Sequence, residues 1–397
     1  MSLPLEGVRV LDFSTLLPGP YATQLLADMG AEVLRIEAPN RPDLLKVMPP
    51  MVGQGKAKVS AAHASINRNK KSIAIDLKNP AAKSIIEKLI SDYDVVIEQF
   101  RPGVMQRLGL DYEVLSSINP QLVYCSITGY GQTGPYKDRA GHDINYLALS
   151  GLASYSGRKE TGPVLSATQI ADIAGGSHHA VMSILAALFA RPNTGKGAYL
   201  DISMADAALS LNTMFGAGAL VSGQDPELGS GMLNGGLFYE YYETADGKFI
   251  SIGSLEPNFA MSLLQTLELS DWLSKIADQR PETQTSLRAA IAEKISAQTQ
   301  AKWIDIFGKL DACVEPVITV NEAAEHPQFK ARKMFIDVQL ESGESVKQIA
   351  SALPFDRVQE PSLGAPLGAH TDEVLGQFGF DAGQLEELKK SGCIKQG

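Results

Sequence analysis

At 397 residues, 44% hydrophobic and 20% charged, the chain is long enough for two domains and too apolar to be largely disordered. A net charge of −10 argues against a general nucleic-acid binder, and an anionic ligand would need a local basic patch. Three scattered cysteines (Cys125, Cys313, Cys393) and six histidines give neither a disulfide framework nor a metal-ligand pattern, so a reducing, cytoplasmic setting without a metal site is expected.

Met1-Ser2-Leu3-Pro4 is not a basic segment leading into an apolar run, so no signal peptide is expected. Residues 8–13 read as a buried strand, Pro18-Gly19-Pro20 as a turn, 21–29 as a helix stopped by Gly30, and 32–37 as the next strand. This opening predicts a parallel α/β sheet, but Gly-x-Gly-x-x-Gly does not follow the first strand, so neither NAD nor FAD is expected. Residues 40–67 read as a long loop. Strand 72–77 follows, then a helix started by Asn79-Pro80 with Ile85, Ile86, Leu89 and Ile90 as its apolar stripe. Residues 94–100 and 122–128 are predicted strands, with a short helix at 102–108. Gly129-Tyr130-Gly131-Gln132-Thr133-Gly134-Pro135 is a glycine-rich loop at a strand end, where open α/β sheets place ligands.

The longest apolar run, 180–190, has the length of a buried helix and is too short for a bilayer, so no membrane span is expected. Strand 198–203 and a helix over 204–215 come next, and the Gly/Ser-rich residues 216–235 mark a domain crossing. Asp246-Gly247 between 238–242 and 248–253 signals a hairpin. Helices at 257–268, 284–297 and 300–309 complete a smaller α+β domain, and helices near 371–378 and 381–391 rejoin the first. The predicted architecture is α/β: a large domain over 1–225 and 326–397, and a small one over 226–325.

Two residues of the 140–172 stretch suggest chemistry. A neutral imidazole at His142 can accept a proton near neutral pH, and a poorly solvated carboxyl at Asp172 can donate one. On opposite faces of a carbon acid they could invert a stereocentre, provided N–H donors hold the enolate oxygen. Taken singly, each has a plainer reading: Asp172 as a helix-start carboxylate, His142 as a loop histidine, Glu256 as a helix-start acid. Arg35, Arg68, Lys70, Lys71, Lys78 and Arg101 form a basic group that could hold phosphates or could simply be solvated charge.

Across nearly the whole chain the sequence resembles the class III CoA-transferase superfamily, and within it the alpha-methylacyl-CoA racemases. The likeness rests on Leu5-Glu6-Gly7-Val8-Arg9-Val10-Leu11-Asp12, Asn67-Arg68-Asn69-Lys70-Lys71-Ser72, Arg101-Pro102-Gly103-Val104, the 129–135 loop and Gly141-His142-Asp143-Ile144-Asn145-Tyr146. It extends through Thr244-Ala245-Asp246-Gly247, Leu255-Glu256-Pro257 and His370-Thr371-Asp372-Glu373. The resemblance implies a Rossmann-like large domain built from both chain ends, a small domain, and an interlocked homodimer that binds acyl-CoA. It implies His142 and Asp172 as the catalytic pair, with Glu256 supporting the histidine. Ala140, Gly141, Asp143, Ile144, Asn145 and Tyr146 would surround the thioester, and Arg35, Asp76, Leu77, Lys78 and Arg101 would hold CoA. No cofactor beyond that CoA is expected. Ala38 stands where many relatives carry a nucleotide-binding arginine, and 151–171 departs from the racemase pattern, so the acyl group is left open.

The leading expectation is an acyl-CoA racemase of fatty acid metabolism, inverting a 2-methylacyl thioester through an enolate. The alternative is an acyl-CoA:carboxylate CoA-transferase with Asp172 as nucleophile. A third is an acyl-CoA-binding protein without turnover.

Overall fold

The computed structural model describes residues 3–53, 58–278, 280–340 and 343–397. Two compact units divide the chain. The first comprises 1–150, 166–211 and 328–397, and the second 151–165 and 212–327.

The first unit is built on a seven-stranded sheet. Its strands are β1 (Arg9–Asp12), β2 (Glu32–Glu37), β3 (Lys70–Ile75), β4 (Val95–Glu98), β5 (Val123–Thr128), β6 (Ala198–Ser203) and β7 (Ile394–Lys395). Their order is β6-β5-β4-β1-β2-β3-β7. All neighbours are parallel except β7, which runs antiparallel to β3. The first six strands thus follow the 3-2-1-4-5-6 order of a doubly wound sheet, whose ligand crevice opens where the order reverses, outside the carboxyl ends of β1 and β4.

The strands read clearly because parallel strands covered on both faces are continuous apolar runs. β5 is buried along its whole length, and Val10 aligns with Val33 on one side and Val95 on the other. Helix α1 (Pro18–Asp28) follows β1, and α2 (Pro80–Ile90) follows β3. Asn79 caps α2, its side chain accepting from the Ala81 N–H at 3.0 Å, and Pro80 takes the first helical position. Ala82, Ile85, Ile86, Leu89 and Ile90 turn inward at helical spacing, each isoleucine or leucine contributing about 1.5–3 kcal/mol. Helix α3 (Asp143–Leu149), a long helix α4 (Ala171–His178 as a π-helix, then His179–Thr194) and α5 (Met204–Ser210) complete the part of this unit that bears on the site.

The second unit has a three-stranded antiparallel sheet, Glu240–Glu243, Phe249–Ile252 and Val314–Pro316. Asp246-Gly247 makes the hairpin turn, with Gly247 at φ 71°. Helices Pro257–Thr266, Pro281–Ser296 and Gln300–Phe307 pack on this sheet around Ile250, Leu263, Ile291 and Trp303.

Three expectations are corrected. Residues 151–165 and 212–225 belong to the second unit, because the chain enters it twice and the second entry precedes the glycine-rich run. The helix expected over 204–215 is broken into α5 and Thr213–Ser222, the second half falling within the run that read as a boundary. Inside the expected loop 40–67 lies helix Ala61–Ile66, started by the Ser60 side chain.

Candidate active site

The loop after β5 sets the frame. Its Gln132 N–H donates to both carboxylate oxygens of Asp201 on β6, at 3.1 and 3.0 Å, and the Ala205 N–H donates to the Gly129 carbonyl at 2.9 Å. Tyr146, in the first turn of α3, pegs the following segment to this loop. Its ring packs where Cβ atoms on Gly129 or Gly141 would lie 2.5 Å from Oη and 2.7 Å from Cε1, so only glycine fits at either place. The Tyr146 hydroxyl donates to the Gly141 carbonyl at 2.7 Å, and Tyr130 meets its ring edge-on at 5.2 Å. The peg is what fixes Ala140 to His142.

His142 stands in extended conformation just before α3, with an exposed side chain. Its N–H donates to Asn145 Oδ1 at 3.0 Å, and the Asn145 N–H returns to the His142 carbonyl at 2.8 Å. One oxygen of Asn145 is thereby spent on starting the helix. Asp143 and Ile144 follow in the first turn.

Asp172 comes from α4. As its helix-start reading allows, it lies inside the first turn, and that turn is a π-helix. The widened winding places residues five apart in contact: Ser177 Oγ donates to the Asp172 carbonyl at 3.2 Å, and His179 Nδ1 lies 2.7 Å from the Ala174 carbonyl. Gly175 and Gly176 have room for little else, since a Cβ on Gly176 would lie 3.1 Å from Pro18 Cβ. Ser177 Oγ also donates to the Pro18 carbonyl at 2.7 Å. The glycine pair thus lets α4 lie against the first turn of α1, beside the crevice where the strand order reverses. The Gly19 N–H there donates to Gln99 Oε1 at 3.0 Å, tying the first turn of α1 to the loop after β4.

The two halves meet at Asp143, whose Oδ1 accepts the Asp172 N–H at 3.0 Å. Burial, and then the charge of Asp143, push the Asp172 carboxyl up to about 6, while His142 pulls it back down. Burial, followed by Asp172 and then Tyr130 and Asp143, likewise raises the Tyr146 hydroxyl above its ordinary value. His142, Asp143, Tyr146 and Asp172 therefore form one electrostatic group. An imidazole beside a carboxyl that titrates near 6 can pass protons in either direction at neutral pH.

The residues expected to hold CoA divide. Asp76-Leu77-Lys78 leave the carboxyl end of β3, turned by the Lys78 N–H to Asp76 Oδ1 bond at 3.0 Å, and Lys78 is exposed. Arg101 leaves the carboxyl end of β4 and is also exposed. Arg35 is different and is a correction: it is 2% exposed, 3.2 Å from Asp43 and 3.4 Å from Glu37. Its charge balances buried carboxylates instead of facing a ligand. Arg68 and Lys70 are internal as well. Arg68 is bound to Asp28, and Lys70 Nζ donates to the Pro20 carbonyl, Thr23 Oγ1 and Asn67 Oδ1.

Glu256 belongs to the second unit. It precedes helix Pro257–Thr266, is exposed, and lies near enough to Cys313 to help raise that thiol. Sequence reading missed Glu98, whose buried carboxyl is pushed up to about 7 by desolvation and whose Oε2 accepts the Phe100 N–H at 2.8 Å ahead of Arg101. An acid ending the apolar run Val95-Val96-Ile97 at a carboxyl edge was the available signal. Among the described residues, no group of three or more His, Cys, Asp or Glu could hold a metal ion.

Residues 5–371 match the model of CoA-transferase family III. The chain belongs to this family. The family III chain is 35% identical to human alpha-methylacyl-CoA racemase over 99% of its own length and 98% of that protein. It is also 31% identical to mouse succinyl-CoA:glutarate CoA-transferase, over 99% of the chain and 91% of that protein. The crystal structure of a CAIB/BAIF family protein from Brucella suis superposes with a TM-score of 0.84 at 29% identity, covering 95% of this chain and all (100%) of that one. Family III has both racemases and CoA-transferases among its members, and this chain is similar to both at nearly the same level.

Proposed function

We propose that this family III protein is an acyl-CoA racemase that inverts the α-carbon of a 2-methylacyl-CoA. The carrying observation is the Asp172 carboxyl, held near 6 by burial and Asp143 and sensing the charge of His142. The thioester acidifies the α-hydrogen. One of the pair takes that proton, the C–H electron pair enters the enolate, and the other delivers a proton to the opposite face; the roles exchange with the enantiomer. Arg101, Lys78, Asp76 and Leu77 hold the CoA, and the 140–146 segment surrounds the thioester. No cofactor beyond the CoA of the substrate takes part. The test is deuterium uptake at the α-carbon of (R)- or (S)-2-methylacyl-CoA in heavy water. Lack of uptake across several chain lengths would refute the reading.

The similarity to the glutarate transferase favours a second reading, in which the Asp172 carboxylate attacks the thioester and expels CoA as thiolate, the thiolate attacks the Asp172 carbonyl of the resulting anhydride and releases the donor acid as carboxylate, and the aspartyl-CoA thioester then gives its CoA to an acceptor carboxylate through a second anhydride. Hydroxylamine would then trap Asp172 in the presence of acyl-CoA, and a free carboxylic acid would acquire CoA.

We further propose that the working form is an interlocked homodimer. Helix α4 over Ala171–Thr194 is long and apolar enough to cross a membrane, yet only 33% of its most apolar window is buried. Met182 and Phe189 on it are 55% and 83% exposed, and in the second unit Leu220 and Val221 are 88% and 91% exposed. A second copy of the chain would cover such surfaces. A monomer by light scattering at micromolar concentration would contradict this.

A further inference from the structure

A helical side chain that bonds back to its own main chain ordinarily meets the carbonyl four residues before it. On the first turn of α4 two side chains reach five back instead, a span that the π-helical winding of Ala171–His178 brings into range. Ser177 Oγ lies 3.2 Å from the Asp172 carbonyl, and His179 Nδ1 lies 2.7 Å from the Ala174 carbonyl. A carbonyl only accepts, so the proton of a neutral His179 is on Nδ1. Serine has a single hydroxyl proton. Ser177, with no exposed surface, shares it between the Asp172 carbonyl and the nearer Pro18 carbonyl at 2.7 Å. Ser177 therefore ties the wide turn to α1, and His179 closes the turn on itself. His178, between them, packs on the Tyr21 ring at 5.9 Å and among the described residues has no side-chain hydrogen bond.

The winding decides where Asp172 stands. The remainder of α4, His179–Thr194, lies against β5 and β6 and is the fixed end. Tightening of the turn to α-helix slips the chain before it by one residue, which is about 100° around the axis and about 1.5 Å along it. Asp172 is on the moving side. Its N–H would leave Asp143 Oδ1, now at 3.0 Å, and its carboxyl would leave the buried position beside Asp143. A reach of five residues closes only around the wide turn, so both bonds oppose that slip.

We propose that Ser177 and His179 are positioning residues, which together lock the wide turn that holds the Asp172 carboxyl in register with His142. The proposal rests on the acyl-CoA racemase reading above. Both side chains act through the main chain and exchange no proton with the substrate. Their loss therefore lowers turnover and leaves thioester binding in place.

The experiment follows inversion of (S)-2-methylacyl-CoA by the parent chain and by His179→Ala, His179→Asn and His179→Gln. Asparagine carries its amide N–H where histidine carries Nδ1–H, and glutamine carries it where Nε2 lies. The proposal expects kcat lowered at least ten-fold in His179→Ala and His179→Gln with KM unchanged, and restored by His179→Asn; His178→Ala should match the parent. Equal losses in the Asn and Gln variants, or a rise in KM without a fall in kcat, overturn it. In a second arm, the crystal structure of the ligand-free Ser177→Ala/His179→Ala chain should show residues 171–178 wound as α-helix, and a retained π-helical turn overturns the assignment. The two readings fail separately. A retained turn in a chain whose parent inverts the thioester removes the positioning residues and keeps the racemase. A relaxed turn in a chain whose parent inverts nothing keeps the lock on Asp172 and removes the racemase.

Discussion

Replacing Asp172 with Asn removes the buried charge while keeping the shape of the side chain. The carboxyl sits at about 6 instead of the ordinary 3.8, because burial and Asp143 outweigh the pull of His142. Among the described residues it makes no side-chain hydrogen bond that Asn would lose. A carboxyl raised above its unfolded value holds its proton more tightly in the folded chain, so ionisation costs stability. The cost is nearly absent below about pH 4, grows through the window between the two values, and is complete above about pH 6. Full conversion would give about 3 kcal/mol, which solvent screening of a half-buried side chain reduces to about 1–2 kcal/mol. Asp172→Asn should therefore stabilise the ligand-free protein by about 1–2 kcal/mol at pH 8, and by about half as much at pH 5. Both tryptophans, Trp272 and Trp303, lie in the second unit, so urea unfolding should be followed by circular dichroism. A variant less stable than the parent at both pH values, or a gain equal at both, would refute the argument.

Gly129→Ala drives a Cβ to within 2.5 Å of the Tyr146 hydroxyl and should cost about 1–3 kcal/mol in urea unfolding, with deuterium exchange falling as the segment before His142 loses its peg. Arg35→Met leaves the buried Glu37 and Asp43 carboxylates without their guanidinium, and a loss of about 3–5 kcal/mol is expected in the same assay. Arg101→Ala should do the opposite, leaving stability within about 0.5 kcal/mol and raising KM for acyl-CoA ten-fold or more; a stability loss like that of Arg35→Met would show Arg101 to be structural.

Much of the first unit was legible from local pattern. The central strands β1, β4 and β5 are largely apolar runs bounded by turns, and α2 announces itself through Asn79-Pro80 and its isoleucine stripe. The last two helices were equally visible, Asp381 capping Ala382–Lys390 with a return bond from Gln384. Charge was not legible in the same way. Arg35, Arg68 and Lys70 look like solvent-facing cations in the linear sequence, and only the fold brings up the partners that bury them, Asp28 forty residues before Arg68 among them. The division into units was hidden for a related reason: a segment as short as 151–165 carries no compositional mark of the unit it joins. At the site, the residue types of His142 and Asp172 could be read, but the π-helical turn could not, because Gly175-Gly176 looks like a helix start until Pro18 and Met204 pack against it.

The most direct measurement is mass-spectrometric deuterium uptake by (S)-2-methylacyl-CoA in heavy water, comparing the parent protein with His142→Ala. The racemase account predicts a single deuteron at the α-carbon with loss of enantiomeric purity, and inversion reduced at least a hundred-fold in the variant, about the smallest contribution expected of a positioned acid–base group. Inversion at the parental rate in His142→Ala, or no uptake in the parent while CoA moves to a free carboxylic acid, would contradict it.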